Sequence, residues 1–421
     1  MTKKISVALS VLLAVAVISG CSDRGTNVPG SDFEPRKANE AMITNVGGHQ
    51  APYELGLSMF IGVRTFPAIP YKMYTPYFDV APTQGIGAKY PVLYLLAPLD
   101  GPDAFYFDRG LAAIADSLIY YGEIDPMIIV CLAADDGYGG TFYANSWSGG
   151  KYSDAYGKRG GGLIDGSIID YLEAIYNIDT NRVNRGISGF GMGGYGAFRI
   201  GVEHFENFGS ISAVSAPLDF DGPNGNGGFV PLFQQVIDQI DPSGVISQEE
   251  YKNIDTTSEF PLRTLFFAAA CSFSPHILDY ETVTGTPPVV GGDTTFLEDT
   301  LTYFNTEGTI EFHLPFDSTG DVRQQVWDYW LDNDILRIMD NYPGALTYTN
   351  MKFFNVSDHE FGFTEQTNSF ADSLGVLLNR RLTPMTFPGY EGYPAVSSSR
   401  YVYDILPEIL KFHSETFDVP Q

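Results

Sequence analysis

The chain has 421 residues, with Lys+Arg 24 against Asp+Glu 51 for a formal charge of −27, and 44% of it is hydrophobic. That apolar content excludes wholesale disorder, and so acidic a balance argues against a binder of nucleic-acid phosphates. Three cysteines are too few for a disulfide framework, while 45 Gly, 26 Tyr and 30 Phe suggest a turn-rich extracytoplasmic protein.

Lys3 and Lys4 open the chain, Ile5–Val17 is apolar apart from Ser6 and Ser10, and Ile18-Ser19-Gly20-Cys21 follows. A cationic start, a short apolar run and small residues before a cleavage point describe a secretory signal. The run is short for a hydrocarbon core of ~30 Å. Its ending resembles a bacterial lipobox, which implies cleavage before Cys21 and lipid on that thiol. The expected organisation is a signal peptide over 1–20, a lipid-anchored flexible tether over 21–50 and a folded domain over 51–421. Loss of Lys3 and Lys4 leaves 22 basic against 51 acidic residues, a formal charge of −29. Ser22 replaces the Asp that retains many such lipoproteins at the inner membrane, which favours the outer membrane. The expected location is the cell envelope, periplasmic or outer-membrane, with the membrane as a partner through the anchor. Cys131 and Cys271 lie in apolar runs and are expected to be buried thiols.

Downstream, strand and helix patterns alternate. Tyr90–Leu96 and Met127–Ala133 are continuous apolar runs, as in strands covered on both faces. Helical spacing marks Gly110–Tyr121, Gly166–Tyr176 and Tyr195–Glu206, and strands are expected at Val183–Ser188, Ser210–Ser215, Leu262–Ala270 and Met351–Val356. Ser369–Asn379 and Val402–Phe412 read as late helices. Residues 275–345, rich in Pro, Gly and Thr around a Trp327/Trp330 helix, look like an insertion before the strand ending at Val356. The alternation predicts an α/β fold with a mostly parallel central sheet and helices on both faces.

The densest motif is Ser188-Gly189-Phe190-Gly191-Met192-Gly193-Gly194-Tyr195-Gly196-Ala197, between a strand and a helix. Gly189, Gly191 and Gly194 satisfy G-x-G-x-x-G, the dinucleotide fingerprint, in which bare backbone at a helix start receives a pyrophosphate. Two βα units precede it, however, and Asp219 lies farther on than the usual ~20 residues. The other reading is the nucleophile elbow G-x-S-x-G, with Gly191 in the serine position.

R-G-I-S-G-F-G-M-G-G-Y-G-A-F resembles the R-x-I-x-G-x-S-M-G-G-Y-G-A segment of the esterase D/feruloyl esterase family of α/β-hydrolases. Tyr90–Leu96, Phe142-Tyr143-Ala144-Asn145-Ser146 and Val326-Trp327…Trp330-Leu331…Asp334 resemble further pieces of that family in the same order, over roughly residues 53–415. The resemblance implies an α/β-hydrolase fold and a carboxylic-ester hydrolase ancestry without cofactor. Carried over residue by residue, it places the nucleophile position at Gly191, which has no side chain, and the acid at Asp358. The base position falls at Pro394, or at Tyr393 if the register slips. Two of three triad members are thus replaced, and only the Met192 N–H remains of the expected oxyanion donors, because Pro98 stands where the family has an H-G-like pair.

Ser188, Ser215 and His359 are the residues a rearranged site could recruit. The six histidines are scattered without ligand spacing, so no metal site is expected. Phe142, Tyr143, Asn145, Trp147 and Tyr393 are candidates to line a cleft for a small-molecule, ester or carbohydrate ligand. Three functions follow: a catalytically silent esterase-like lipoprotein that binds a ligand or envelope partner, an active carboxylic-ester hydrolase with a rearranged site, or a purely structural envelope protein.

Overall fold

A computed structural model describes residues 42–44, 71–76, 89–99, 101–133, 140–146, 150–151, 153, 167–222, 228–237, 245–247, 261–277, 310–317, 319–357, 361–379, 381–388 and 399–418. All fall within the compact unit Asn39–Gln421. Cys21, Trp147, Asp358, His359, Tyr393 and Pro394 lie outside the described residues, as do the expected signal peptide and nearly all of the tether.

The frame is an eight-stranded sheet. Its strands are β1 (Met42–Thr44), β2 (Tyr71–Thr75), β3 (Val92–Leu96), β4 (Ile128–Leu132), β5 (Arg185–Gly189), β6 (Ser210–Val214), β7 (Asn350–Val356) and β8 (Met385–Phe387). They lie in the order β1-β2-β4-β3-β5-β6-β7-β8. β2 runs antiparallel to β1 and β4, and all other pairs are parallel. The parallel strands are joined through helices α1 (Leu111–Tyr120), α2 (Ile168–Ile175), α3 (Met192–Glu203), α4 (Pro261–Phe273), α5 (Gln324–Leu331), α6 (Ile335–Asn341) and α7 (Phe363–Leu377), and α8 (Ser399–Thr416) follows β8.

Side-chain alternation explains why β3 and β4 read as unbroken apolar runs. Val92, Tyr94 and Leu96 join Ile128, Val130 and Leu132 in a core beneath α2, α3, α4, α5 and α7. Leu93, Leu95, Ile129 and Cys131 point to the other face, against α1 and α8. Each side chain so buried contributes about 1.5–3 kcal/mol, which makes this register the stable one. Both expected buried thiols are found, Cys131 and Cys271.

The strand expected at Leu262–Ala270 is instead the middle of α4. An apolar run buried on all sides carries no period, and this one opens with Pro at its first helical position and ends in Ala268-Ala269-Ala270, both helix-favouring. The described part of the expected insertion packs as core: Trp327 and Trp330 of α5 lie against Phe233, Phe229, Phe266 and Phe273. Among the described residues no helix is long and apolar enough to cross a membrane.

Candidate functional site

The glycine motif forms a sharp turn between β5 and α3. Its pivot, Gly191, has φ 52° and ψ −117°, a conformation that L side chains adopt only under strain. The turn is held on both sides: Gly191 N–H donates to Val214 O at 2.9 Å, Gly193 N–H to Phe190 O at 2.8 Å, and Tyr195 N–H to Gly191 O at 3.0 Å. Flanking glycines let helix and strand approach. A Cβ on Gly193 would lie 2.2 Å from Leu96 O, and one on Gly189 2.3 Å from the Gly193 carbonyl carbon. At Gly191 the space is open, with Phe363 Cε2 the nearest neighbour, at 4.0 Å. A serine would therefore fit there; glycine is not required by crowding.

Met192 opens α3, and the first N–H groups of a helix have no partner within it. One such donor beside the pivot is half of an oxyanion hole. The facing corner, at the end of β3, is Ala97-Pro98. Ala97 N–H is bonded to Leu132 O at 2.9 Å and proline has no N–H, so neither residue can donate to a ligand. Two buried tyrosines fix this corner, with Tyr106 OH donating to Leu96 O at 2.7 Å and Tyr143 OH to Ala97 O at 2.9 Å. Burial holds the Tyr106 phenol well above its usual range, so it stays a neutral donor.

Around the pivot lies a small cavity of about 30 Å³, walled by Pro98, Leu99, Phe190, Met192, Phe361 and Phe363 together with Val402 of α8. A water needs about 10–15 Å³ on this measure, so the enclosed space holds two or three and a larger group would extend out of it. Among the described residues no charged side chain lines it, and Ser215 brings the one side-chain hydroxyl.

That hydroxyl is engaged: Ser215 Oγ accepts the Val356 N–H at 2.9 Å, in a residue with φ 39°. Ser188 is wholly buried within β5 and accepts from Ser212 Oγ at 2.7 Å. His204 meets Ser153 O at 3.1 Å and His413 meets Ser210 and Ser212, so neither of these two bonds Ser215 or Ser188.

The nucleophile position Gly191 and the oxyanion residue Met192 line the cavity, whereas the expected cleft residues Phe142 and Tyr143 are not among its walls. Both are fully buried, turned inward by φ 48° and 51°. Phe142 packs on Tyr195 and Phe273, and the Tyr143 ring occupies the space a Cβ at Gly196 would need. Asn145 sits in a two-residue strand paired with Gly150–Lys151, away from the cavity walls. Sequence reading missed Phe361, Phe363 and Val402; Phe361 and Phe363, close after Asp358, were the available signal.

Residues 78–259 match the model of the family Esterase, described as "Putative esterase". The chain is also similar to three solved esterase structures. A ferulic acid esterase is 16% identical over 83% of this chain and 93% of its own, with a TM-score of 0.46. S-formylglutathione hydrolase FrmB from Staphylococcus aureus is 12% identical over 89% and 97%, at 0.44. The feruloyl esterase module from Clostridium thermocellum, complexed with sinapinate, is 13% identical over 83% and 84%, at 0.41. The mostly parallel sheet and the matched segment give the chain an α/β-hydrolase fold, with the elbow between β5 and α3.

Proposed function

We propose that this protein is a catalytically silent member of the esterase family that binds an apolar ligand group above its elbow. The observation that carries this reading is Gly191 itself: the elbow keeps its strained geometry and the Met192 donor, yet offers no nucleophile. The described walls favour the apolar end of an aryl or acyl group over a sugar, since among them Ser215 carries the one side-chain hydroxyl. The sequence supports a chain lipidated at Cys21 and held at the cell envelope, with Pro394 in the base position reinforcing silence.

The test is exposure to a serine-directed fluorophosphonate and to short aryl esters, with a thermal-shift screen of aryl and acyl compounds run in parallel. The expected result is no adduct, no turnover and stabilisation by an apolar compound. An adduct on Ser215, which lines the cavity, would establish the rearranged-site hydrolase in its place. Radiolabelled palmitate incorporation lost in Cys21→Ser tests the anchor separately.

A further inference from the structure

The foot of α8 holds a buried imidazole in a slot made for it. His413 is fully buried, and a Cβ on Gly186 would lie 2.4 Å from its Nδ1, so glycine at 186 makes the room. Both ring nitrogens are bonded to β6: Nδ1 to Ser210 Oγ at 2.7 Å and Nε2 to Ser212 Oγ at 3.0 Å. Ser212 Oγ donates its own proton to Ser188 Oγ at 2.7 Å. Its oxygen therefore accepts from Nε2–H, and Nδ1 accepts from Ser210. That set satisfies a neutral imidazole at both nitrogens.

Among the described residues no counter-charge faces the ring. Ser210 and Ser212 of β6 bond the ring, Gly186 of β5 makes room for it, the charge on β5, Arg185, is paired with Glu173, and the aromatic neighbours are Phe412 and Phe417. On the elements packed against α8, Asp116 of α1 takes the Tyr74 OH, Lys352 of β7 lies over the Phe354 ring, and Arg109 lies over Phe105. Lys411, on α8 itself, pairs outward with Glu123 and Glu408. Burial alone depresses the His413 pKa to about 3 from 6.5.

The same helix walls the cavity beside Gly191 through Val402. Pro407 interrupts α8 between wall and foot, removing one hydrogen bond, so the helix depends on its docking for stability.

We propose that α8 is an acid-released wall: protonation of His413 frees the helix from its serine slot and opens the cavity beside Gly191. This device does not depend on what the cavity binds, and it stands or falls separately from the absence of catalysis. The sign follows from linkage. A depressed folded-state pKa leaves docking at full strength above about 6.5 and weakens it progressively as pH falls toward about 3. At about pH 5 the released state gains about thirtyfold over its neutral-pH population.

Hydrogen exchange on the full chain, corrected for intrinsic rates, measures this at about pH 7 and pH 5. Amides of α8 are expected to lose about thirtyfold protection at the lower pH while α3 keeps its own. In His413→Gln, neutral at both pH values and able to bond both serines, most of that loss should vanish. Protection of α8 that ignores pH, a loss in α3 equal to that in α8, or an undiminished loss in the variant would each overturn the proposal. Should the variant not fold, nitrogen-15 NMR of labelled histidine in the wild type decides. A His413 ring still neutral in the folded protein at about pH 5 supports the latch, and a folded-state titration near 6.5 refutes it.

Discussion

Gly191 and Phe363 face each other across the cavity floor, with room for a Cβ on the glycine at 4.0 Å from the phenyl edge. Gly191→Ser should therefore fold. The serine must take φ 52°, so a loss of about 1–3 kcal/mol is expected in urea denaturation. Turnover of aryl esters should stay at the wild-type baseline, because a nucleophile without a base gains little. Substantial turnover would mean that a base does reach residue 191.

The neighbouring glycines behave differently. Gly193→Ala sets a methyl 2.2 Å from Leu96 O, and Gly189→Ala sets one 2.3 Å from the Gly193 carbonyl carbon. Neither backbone can yield without parting α3 from the sheet. Each variant should lose about 3 kcal/mol or more, or fail to accumulate as folded protein.

Asp334, at the start of α6, gives the protein a second pH dependence. Burial pushes its carboxyl up to about 7, with nearby Asp219 adding to the effect, although Phe220 and Leu336 N–H groups bond it. With the folded pKa raised, its favourable contribution is complete below the unfolded value near 3.8 and is lost as pH rises through about 7. In Asp334→Asn that loss should disappear. The wild-type-minus-variant stability should fall by a few kcal/mol between about pH 4 and pH 8. This difference isolates Asp334 from His413, whose effect has the opposite sign.

Cys131 and Cys271 are buried within the core, and burial raises the Cys131 thiol well above its usual range. In a Cys21→Ser chain, neither should react with Ellman's reagent before unfolding. Titration through a urea transition should release both together.

The sheet was legible because its central strands are covered on both faces, so Tyr90–Leu96 and Met127–Ala133 stood out as unbroken apolar runs. The elbow was legible because close backbone approach at Gly189 and Gly193 demands glycine. Leu262–Ala270 misled for the opposite reason: a helix buried all round has no polar face to reveal its period. Phe142 and Tyr143 misled because aromatic residues near a motif are as useful to a core as to a cleft, and only their positive φ values turn them inward. The His413 slot was invisible in the sequence. Ser188, Ser210, Ser212 and His413 are brought together by strand neighbours and a helix some two hundred residues later.

The backbone at Gly191 also gives the site a direction in time. Glycine holds φ 52° without strain, whereas any chiral side chain there is held against its preference. Exchange of a serine for glycine at such an elbow is thus rewarded by folding itself. The reverse step is penalised at once by the backbone, whatever else the site holds. The turn works as a ratchet: a lineage enters this form downhill, and one mutation does not lead it out.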